Sequence, residues 1–168
     1  MTYQFNNVWK QITPELSAEL AAFWKSENAL PANENAEIRA QQAVIVMRDE
    51  QGAIAAVSTA ILKVVPRLRQ KLYYYRTFCA IPHRGNHTVQ AMAKEAKKAL
   101  LEYNQKQSPA EAIGILVELE SNQLSSQYNY AYHAATDFGF IGYSQRDLPL
   151  FAHYFPGAIL QPPIVLKR

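Results

Sequence analysis

The residues of this chain best suited to chemistry lie in one turn, Pro82-His-Arg-Gly-Asn-His87. An apolar and aromatic run precedes the turn, and from Thr88 onward apolar residues recur at three- and four-residue intervals, as on one face of a helix. A strand, a turn with Arg84 and Gly85, and a helix that opens directly from it would place unpaired backbone N–H groups and a positive dipole end at one point. This pattern predicts a phosphate-binding site.

Two acidic residues could act as a general base. Glu118 and Glu120 flank Leu119 at the end of an apolar run, so in a strand their side chains point to the same face. Partial burial there would raise the pKa of a carboxylate towards the range that a general base needs. The alternative for Glu120 is a strand end that reaches solvent, which is the commoner case because buried acids are rare unless they are paired.

His83 and His87 have the four-residue spacing of a helical metal pair, but they lie on either side of a glycine turn and have no third ligand nearby in the sequence. We therefore predict no metal and interpret both as loop residues near a phosphate. His87 would either donate a hydrogen bond to the ligand or fill its place. Cys79 lies in the apolar run and is interpreted as a small core residue, since a reactive thiol needs an electropositive and accessible setting.

Periodicity and turn signals predict the elements that position these residues. The Thr13-Pro14 pair predicts a helix start, with a cap at Thr13 and proline in the first turn. Seven strands are predicted, over residues 3–12, 43–47, 53–65, 72–81, 113–119, 138–143 and 148–154. Four helices are predicted: one begins after Thr13, one covers 34–42, one begins after the turn at 82–87, and one lies within 121–137.

Length and composition narrow the possible functions. With 168 residues, the chain is long enough for one domain, and no apolar run approaches the roughly 18 residues needed to cross a bilayer. The N-terminal residues have neither a positive start nor an apolar core, and a single cysteine excludes an intrachain disulfide, so we expect a cytoplasmic location. A net charge of +3 suits an anionic ligand, but the dense basic stripe typical of nucleic-acid binding is missing.

The element order and two short motifs resemble the GNAT-type N-acetyltransferase superfamily over nearly the whole chain. Ile81-Pro-His-Arg-Gly85 resembles the strand end and pyrophosphate loop of the family, and Phe138-Gly-Phe140 resembles the Gly-Phe that follows its last core helix. The resemblance implies an α+β fold with a central mixed sheet of about six to seven strands flanked by about four helices. Within this sheet, the strands over 72–81 and 113–119 are expected to be parallel neighbours that splay apart at the ligand cleft. The resemblance also implies a single GNAT-like domain over residues 1–168.

The resemblance further implies an activity, the transfer of an acetyl or other acyl group from acyl-CoA to an amine acceptor, either a small molecule or a peptide. Acetyl-CoA or another acyl-CoA would be the co-substrate, with its pyrophosphate on the turn and its pantetheine along the preceding strand edge. Backbone N–H groups would stabilise the oxyanion. The implied cofactor-binding residues are Phe78, Cys79, Ala80, Arg84, Gly85, Asn86, His87, Thr88 and Val89.

Three positions depart from the family's pattern and leave a second function open. The two further glycines of the family's loop fall on His87 and Val89, whose side chains hinder close approach of a ligand to the backbone. The family's tyrosine acid falls on Ala135, so Tyr132 on the predicted helix is the candidate acid, with core packing as its alternative. The second function is a GNAT-like binding or interaction module without transfer chemistry. The acceptor, the acyl chain and the formation of a homodimer remain open.

Overall fold

The computed structural model describes residues 1–85, 87–120 and 129–167. This part of the chain contains three α-helices and one eight-stranded mixed sheet, which confirms the predicted α+β class. The helices are α1 (Pro14–Ser26), α2 (Ala36–Ala40) and α3 (Thr88–Gln105). The strands are β1 (Gln4–Asn7), β2 (Ala43–Arg48), β3 (Ile54–Val65), β4 (Gln70–Cys79), β5 (Gly114–Glu118), β6 (Tyr132–His133), β7 (Phe138–Tyr143) and β8 (Pro149–Tyr154).

The sheet has the order β1-β2-β3-β4-β5-β8-β7-β6. β4 and β5 are parallel, with Tyr73 opposite Ile115 and Tyr75 opposite Val117, whereas β5 pairs with β8 in antiparallel register. A parallel pair requires a crossover connection, and α3 lies in the connection between these two strands. The prediction that the strands before and after the central helix are parallel neighbours is therefore confirmed.

The contacts divide the chain into two compact units. Residues 1–60 and 77–100 form the first unit, and residues 61–76 and 101–168 form the second. The single domain over residues 1–168 stays a prediction. No helix in the described ranges is both long and apolar enough to pass through a bilayer.

In the first unit, α1 begins where the sequence predicts. The Thr13 hydroxyl accepts a hydrogen bond from the Leu16 N–H at 3.1 Å, and Pro14 occupies the first turn, where a missing N–H costs nothing. Leu20 and Trp24 are buried on one face of the helix. They pack in a hydrophobic cluster with residues of β2 and β3, which fixes α1 against these strands.

Two predicted elements differ substantially from the structure, whereas the bounds of the other predicted strands and of the helix over 34–42 differ by at most two residues at either end. The predicted strand over residues 3–12 is limited to β1, because the chain turns at Trp9 and Lys10 has a positive φ of 61°. The helix predicted within 121–137 is wrong over residues 129–137, which contain β6 and a turn; residues 121–128 lie outside the described residues. Tyr132 pairs with Gly139 and His133 pairs with Phe138 at the start of β7. Aromatic residues favour strands, and these cross-strand contacts stabilise β6 in place of the predicted helix.

Gly114, the first residue of β5, allows this strand to pass close to β8. A Cβ at Gly114 would lie 2.1 Å from the His153 carbonyl oxygen and 2.9 Å from the Tyr154 Cα. Both are backbone atoms of the paired strand, so they cannot move away without disturbing the register. We expect Gly114→Ala to lower the free energy of unfolding by about 1 to 3 kcal/mol in urea denaturation, the range typical of overpacking.

Gly139→Ala is the matched control, since Gly139 also lies in a strand paired with β8. The nearest atom to its added Cβ belongs to the Tyr132 side chain at 3.9 Å, an ordinary contact distance. This variant should unfold at a urea concentration close to that of the wild type. Equal losses of stability in the two variants would show that the close approach at Gly114 is not the cause.

Candidate functional site

The turn between β4 and α3 has the tight backbone that the sequence predicts. A short 3₁₀ helix over Ile81–His83 ends β4, and Gly85 then adopts a φ of 95°. His87 also has a positive φ, 60°, in the left-handed region that side chains other than glycine rarely adopt. Asn86, a predicted cofactor-binding residue, lies outside the described residues. His87 therefore occupies a position whose backbone conformation favours glycine.

α3 opens directly from this turn at Thr88. The buried Thr88 hydroxyl donates to the His83 carbonyl oxygen at 2.9 Å, and the Thr88 N–H donates to the Gly85 carbonyl oxygen at 2.9 Å. Val89, the second residue of the helix, is half-buried. The positive end of the helix dipole thus faces the turn, which is the arrangement that favours an anion.

Three of the predicted cofactor-binding residues contact one another at the end of β4. Arg84 Nε donates to the Cys79 carbonyl oxygen at 3.0 Å, and the Arg84 guanidinium carbon lies 5.7 Å from the centre of the Phe78 ring. The Ala80 N–H donates to the Ala55 carbonyl oxygen of β3 at 2.9 Å. Because backbone groups alternate in direction along a strand, the Cys79 carbonyl points to the opposite edge of β4. Arg84 therefore covers that edge.

The Cys79 side chain is buried, as its interpretation as a core residue predicts. Burial raises the pKa of its thiol to about 11, although the positive charge of Arg84 acts in the opposite direction. The thiol is therefore protonated at neutral pH, so the structure gives no support for a reactive cysteine.

In the second unit, the two acids belong to a group of side chains that we call the Tyr74 cluster: Tyr74, Glu118, Glu120 and Arg146. The Tyr74 hydroxyl lies 3.3 Å from an oxygen of each carboxylate. Arg146 Nη2 donates to Glu118 and lies 2.8 Å from Glu120. Since both carboxylates bind the same two groups, the prediction that Glu118 and Glu120 share a face is confirmed.

The electrostatics of this cluster correct one prediction. Burial acts to raise the pKa of Glu118, but hydrogen bonds from Ser144 and Arg146, together with the charge of Arg146, lower it below its ordinary value of 4.5. The predicted rise is therefore wrong for Glu118, because its carboxylate is paired. Burial and the charges of the two carboxylates raise the pKa of Tyr74 to about 12, so its phenol is neutral and donates.

Tyr132 lies in β6 and not on a helix. Its side chain is 57% exposed, which is contrary to the core alternative. The Tyr132 hydroxyl donates to Asp137 Oδ1 at 2.7 Å, and Asp137 Oδ2 lies 3.2 Å from Nδ1 of the buried His153. The hydrogen bond to Asp137 is the main cause that raises the pKa of Tyr132 above its ordinary value. The polar contacts of Tyr132 and Glu120 thus involve different partners.

Sequence reasoning missed Tyr74 and Arg146 as partners of the acids. Arg146 lies in the turn between β7 and β8, and 26 residues separate it from Glu120 along the chain. No local spacing connects the two residues, because the contact arises only when β8 pairs with β5. The Tyr73-Tyr74-Tyr75 run gave the one usable signal, since alternation puts Tyr74 on the opposite face from its neighbours.

Solved acetyltransferase structures share this fold. An acetyltransferase of the GNAT family from Streptococcus pneumoniae is 14% identical, with a TM-score of 0.59 over 92% of this chain and 100% of that one. The ribosomal-protein-S5-alanine acetyltransferase of Vibrio fischeri is 10% identical, with a TM-score of 0.65 over 94% of this chain and 96% of that one. A GNAT superfamily phosphinothricin acetyltransferase from Sinorhizobium meliloti, solved in complex with AcCoA, is 13% identical, with a TM-score of 0.61 over 97% of this chain and 94% of that one.

Neither a protein-family model nor a curated protein sequence matches the chain. The structural similarities therefore show the GNAT fold alone, since the identities are too low to transfer residue roles.

The lowered pKa of Glu118 predicts how the stability of the fold changes with pH. A carboxylate whose pKa is lower in the folded state than in the unfolded state stabilises the fold above its ordinary pKa, and this stabilisation is lost as the pH falls through the folded value. Arg146→Ala removes the cationic partner and leaves burial opposed only by the hydrogen bonds from Ser144 and Tyr74. We expect the variant to be less stable than the wild type at neutral pH, with a difference that narrows as the pH falls below 4.5.

Urea unfolding between neutral pH and about pH 3 would measure this difference. Lys63→Ala is the control, because Lys63 Nζ lies over the Tyr74 ring at 4.4 Å, so the variant removes a cation beside the cluster and leaves Arg146 in place. Its stability should run parallel to that of the wild type through the same pH range. A stability difference for Arg146→Ala that does not change with pH would contradict the ion pair as the cause.

Proposed function

We propose that this chain is an N-acyltransferase that moves an acetyl or other acyl group from acyl-CoA to an amine acceptor. The observation that carries the proposal is the turn from Arg84 to Thr88, which combines a cation, a left-handed glycine and the N-terminus of α3 within a GNAT fold. A pyrophosphate is an anion of the kind that such a turn favours. The AcCoA complex of one structural neighbour supports acyl-CoA as the co-substrate.

In the proposed complex, the pantetheine chain pairs with the edge of β4 from Phe78 to Ala80. The Cys79 carbonyl on that edge accepts a hydrogen bond from Arg84 Nε. Pyrophosphate binding would draw the guanidinium towards the turn, where two phosphate oxygens replace one neutral carbonyl as its acceptor. Arg84 would then both hold the cofactor and uncover the edge that receives it.

The proposed reaction is direct attack. The nitrogen of the neutral amine attacks the thioester carbonyl carbon, the carbon–sulfur bond breaks, and the amine proton passes to a base while the CoA thiolate takes up a proton. Glu120 is the proposed base, because its carboxylate is about half exposed and thus accessible to an acceptor. Tyr132, whose exposed phenol is kept protonated by its bond to Asp137, is the proposed acid.

The second candidate function is a binding or interaction module that has lost acyl transfer. The specific observation in its favour is His87, which places a side chain at a left-handed position. Val89 and Ala135 add to this, because neither is the residue that the GNAT family has there. The two functions differ in whether CoA binds, so CoA affinity is the measurement that separates them.

Arg84→Ala tests the proposed CoA site. The variant loses a charge-assisted hydrogen bond to the pyrophosphate, so we expect acetyl-CoA to bind more weakly by roughly 1.5 to 3 kcal/mol in titration calorimetry. Lys25→Ala, which removes a cation in the last turn of α1, is the control and should bind like the wild type. If wild type and Arg84→Ala bind equally, Arg84 is not part of the site; if neither binds, the non-catalytic module is favoured.

A glycine at position 87 tests whether the His87 side chain hinders or binds the ligand. His87→Gly removes the imidazole and also relieves the left-handed backbone, so we expect its thermal midpoint to equal or exceed that of the wild type. If the imidazole obstructs the loop, acetyl-CoA should bind more tightly to this variant, and still more tightly when Val89→Gly is added.

His87→Ala serves as the control, since it removes the same imidazole but keeps a side chain at a positive φ. It should change the affinity in the same direction as His87→Gly while losing thermal stability relative to it. Weaker binding by both single variants would contradict obstruction and identify His87 as a contact of the ligand.

A further inference from the structure

His83 contacts two other segments of the first unit. Its Nδ1 lies 3.0 Å from the Tyr3 hydroxyl, and the two rings meet edge to face at 5.7 Å between centroids. Its Nε2 lies 3.9 Å from Asp49 Oδ2, and both of these side chains are only 13% exposed. The imidazole is therefore held between the N-terminal segment and the hairpin that joins β2 to β3.

The chemistry of the partners favours one tautomer of a neutral His83. A carboxylate only accepts hydrogen bonds, so the N–H of a neutral imidazole belongs at Nε2, which faces Asp49. Nδ1 is then the acceptor, and the Tyr3 hydroxyl donates to it. Asp49 is itself fixed, because its Oδ1 accepts from the N–H groups of Gln51 at 3.0 Å and Ala53 at 2.9 Å.

The backbone of His83 is hydrogen-bonded to the start of α3, so the position of His83 affects the position of the helix start. The His83 carbonyl oxygen accepts from the Thr88 hydroxyl at 2.9 Å, and Thr88 also closes the turn through its N–H bond to Gly85. A shift of His83 would therefore move the helix start and the carbonyl that keeps Thr88 in place. Arg84 follows directly and would shift with it.

We propose that His83, held by Tyr3 and Asp49, is a positioning residue for the pyrophosphate turn; this inference rests on the proposed acyl-CoA function. His83 does not need to touch the ligand. Its ring fixes the turn in the conformation that a pyrophosphate requires, so the cofactor does not have to order the turn when it binds. Preorganisation of this kind increases affinity by lowering the entropic cost of binding.

The test compares acetyl-CoA with acetyl-pantetheine, which lacks the pyrophosphate. Tyr3→Phe keeps the ring contact and removes only the hydroxyl, and it should weaken acetyl-CoA binding about three- to tenfold, as expected for the loss of one hydrogen bond. His83→Leu should have at least this effect, and His83→Asn, whose amide oxygen can take the place of Nδ1, should restore part of the affinity. Acetyl-pantetheine should bind equally to all four proteins.

Tyr143→Phe is the matched control, since the Tyr143 side chain is 58% exposed in β7 and the variant should bind both ligands like the wild type. Amide hydrogen exchange at Thr88 gives a readout without ligand, and it should be faster in Tyr3→Phe than in the control. Wild-type affinity for acetyl-CoA in folded Tyr3→Phe and His83→Leu, or an equal loss for both ligands, would overturn the positioning role alone. Absence of acetyl-CoA binding by the wild type would overturn the proposed function and this role with it.

Discussion

The candidate cofactor site depends on two residues with left-handed backbone, Gly85 and His87, between β4 and α3. Left-handed φ values turn the chain sharply, so that α3 starts immediately after the turn and directs its N-terminal N–H groups to one point. A glycine takes this conformation without strain, whereas a histidine costs about 1 kcal/mol or more. The bonds of Thr88 to His83 and Gly85 offset this strain, because they close the turn from both sides.

The Tyr74 cluster shows how neighbouring groups decide the charge of Glu118. Burial alone would favour the protonated acid, but the guanidinium of Arg146 donates to both Glu118 and Glu120, and the neutral phenol of Tyr74 lies 3.3 Å from an oxygen of each carboxylate. Glu118 consequently stays ionised, while the same negative charges keep the phenol protonated. The Arg146 side chain is 60% exposed, so screening by solvent limits its hold on the carboxylates and an incoming cation could compete for them.

The parts of the fold that the sequence predicts well are those set by local chemistry. Side-chain hydrogen bonding sets the cap at Thr13, and the turn sets the start of α3 at Thr88. Two apolar runs on either side of α3 give the parallel pair of β4 and β5. The prediction of a helix around Tyr132 is wrong, because the apolar periodicity there is weak and the local sequence does not indicate that this segment pairs with β7. Tyr3, Asp49 and Arg146 were missed for a related reason: each meets its partner only through strand pairing or a hairpin far away in the sequence.

The Arg84 side chain provides a physical criterion for choosing between the two functions. A guanidinium has five N–H donors. In the structure, Arg84 Nε donates a hydrogen bond to a neutral acceptor, the carbonyl oxygen of Cys79. A pyrophosphate oxygen is a stronger acceptor than a carbonyl, and its charge would gain further from the α3 dipole, so in the proposed acyltransferase an exchange of partners on CoA binding would be favourable. In a non-catalytic module no anion arrives, and the bond to Cys79 would be the permanent role of Arg84 as a brace at the end of β4. The same substitution, Arg84→Ala, would then reduce stability, and neither the wild type nor the variant would bind CoA.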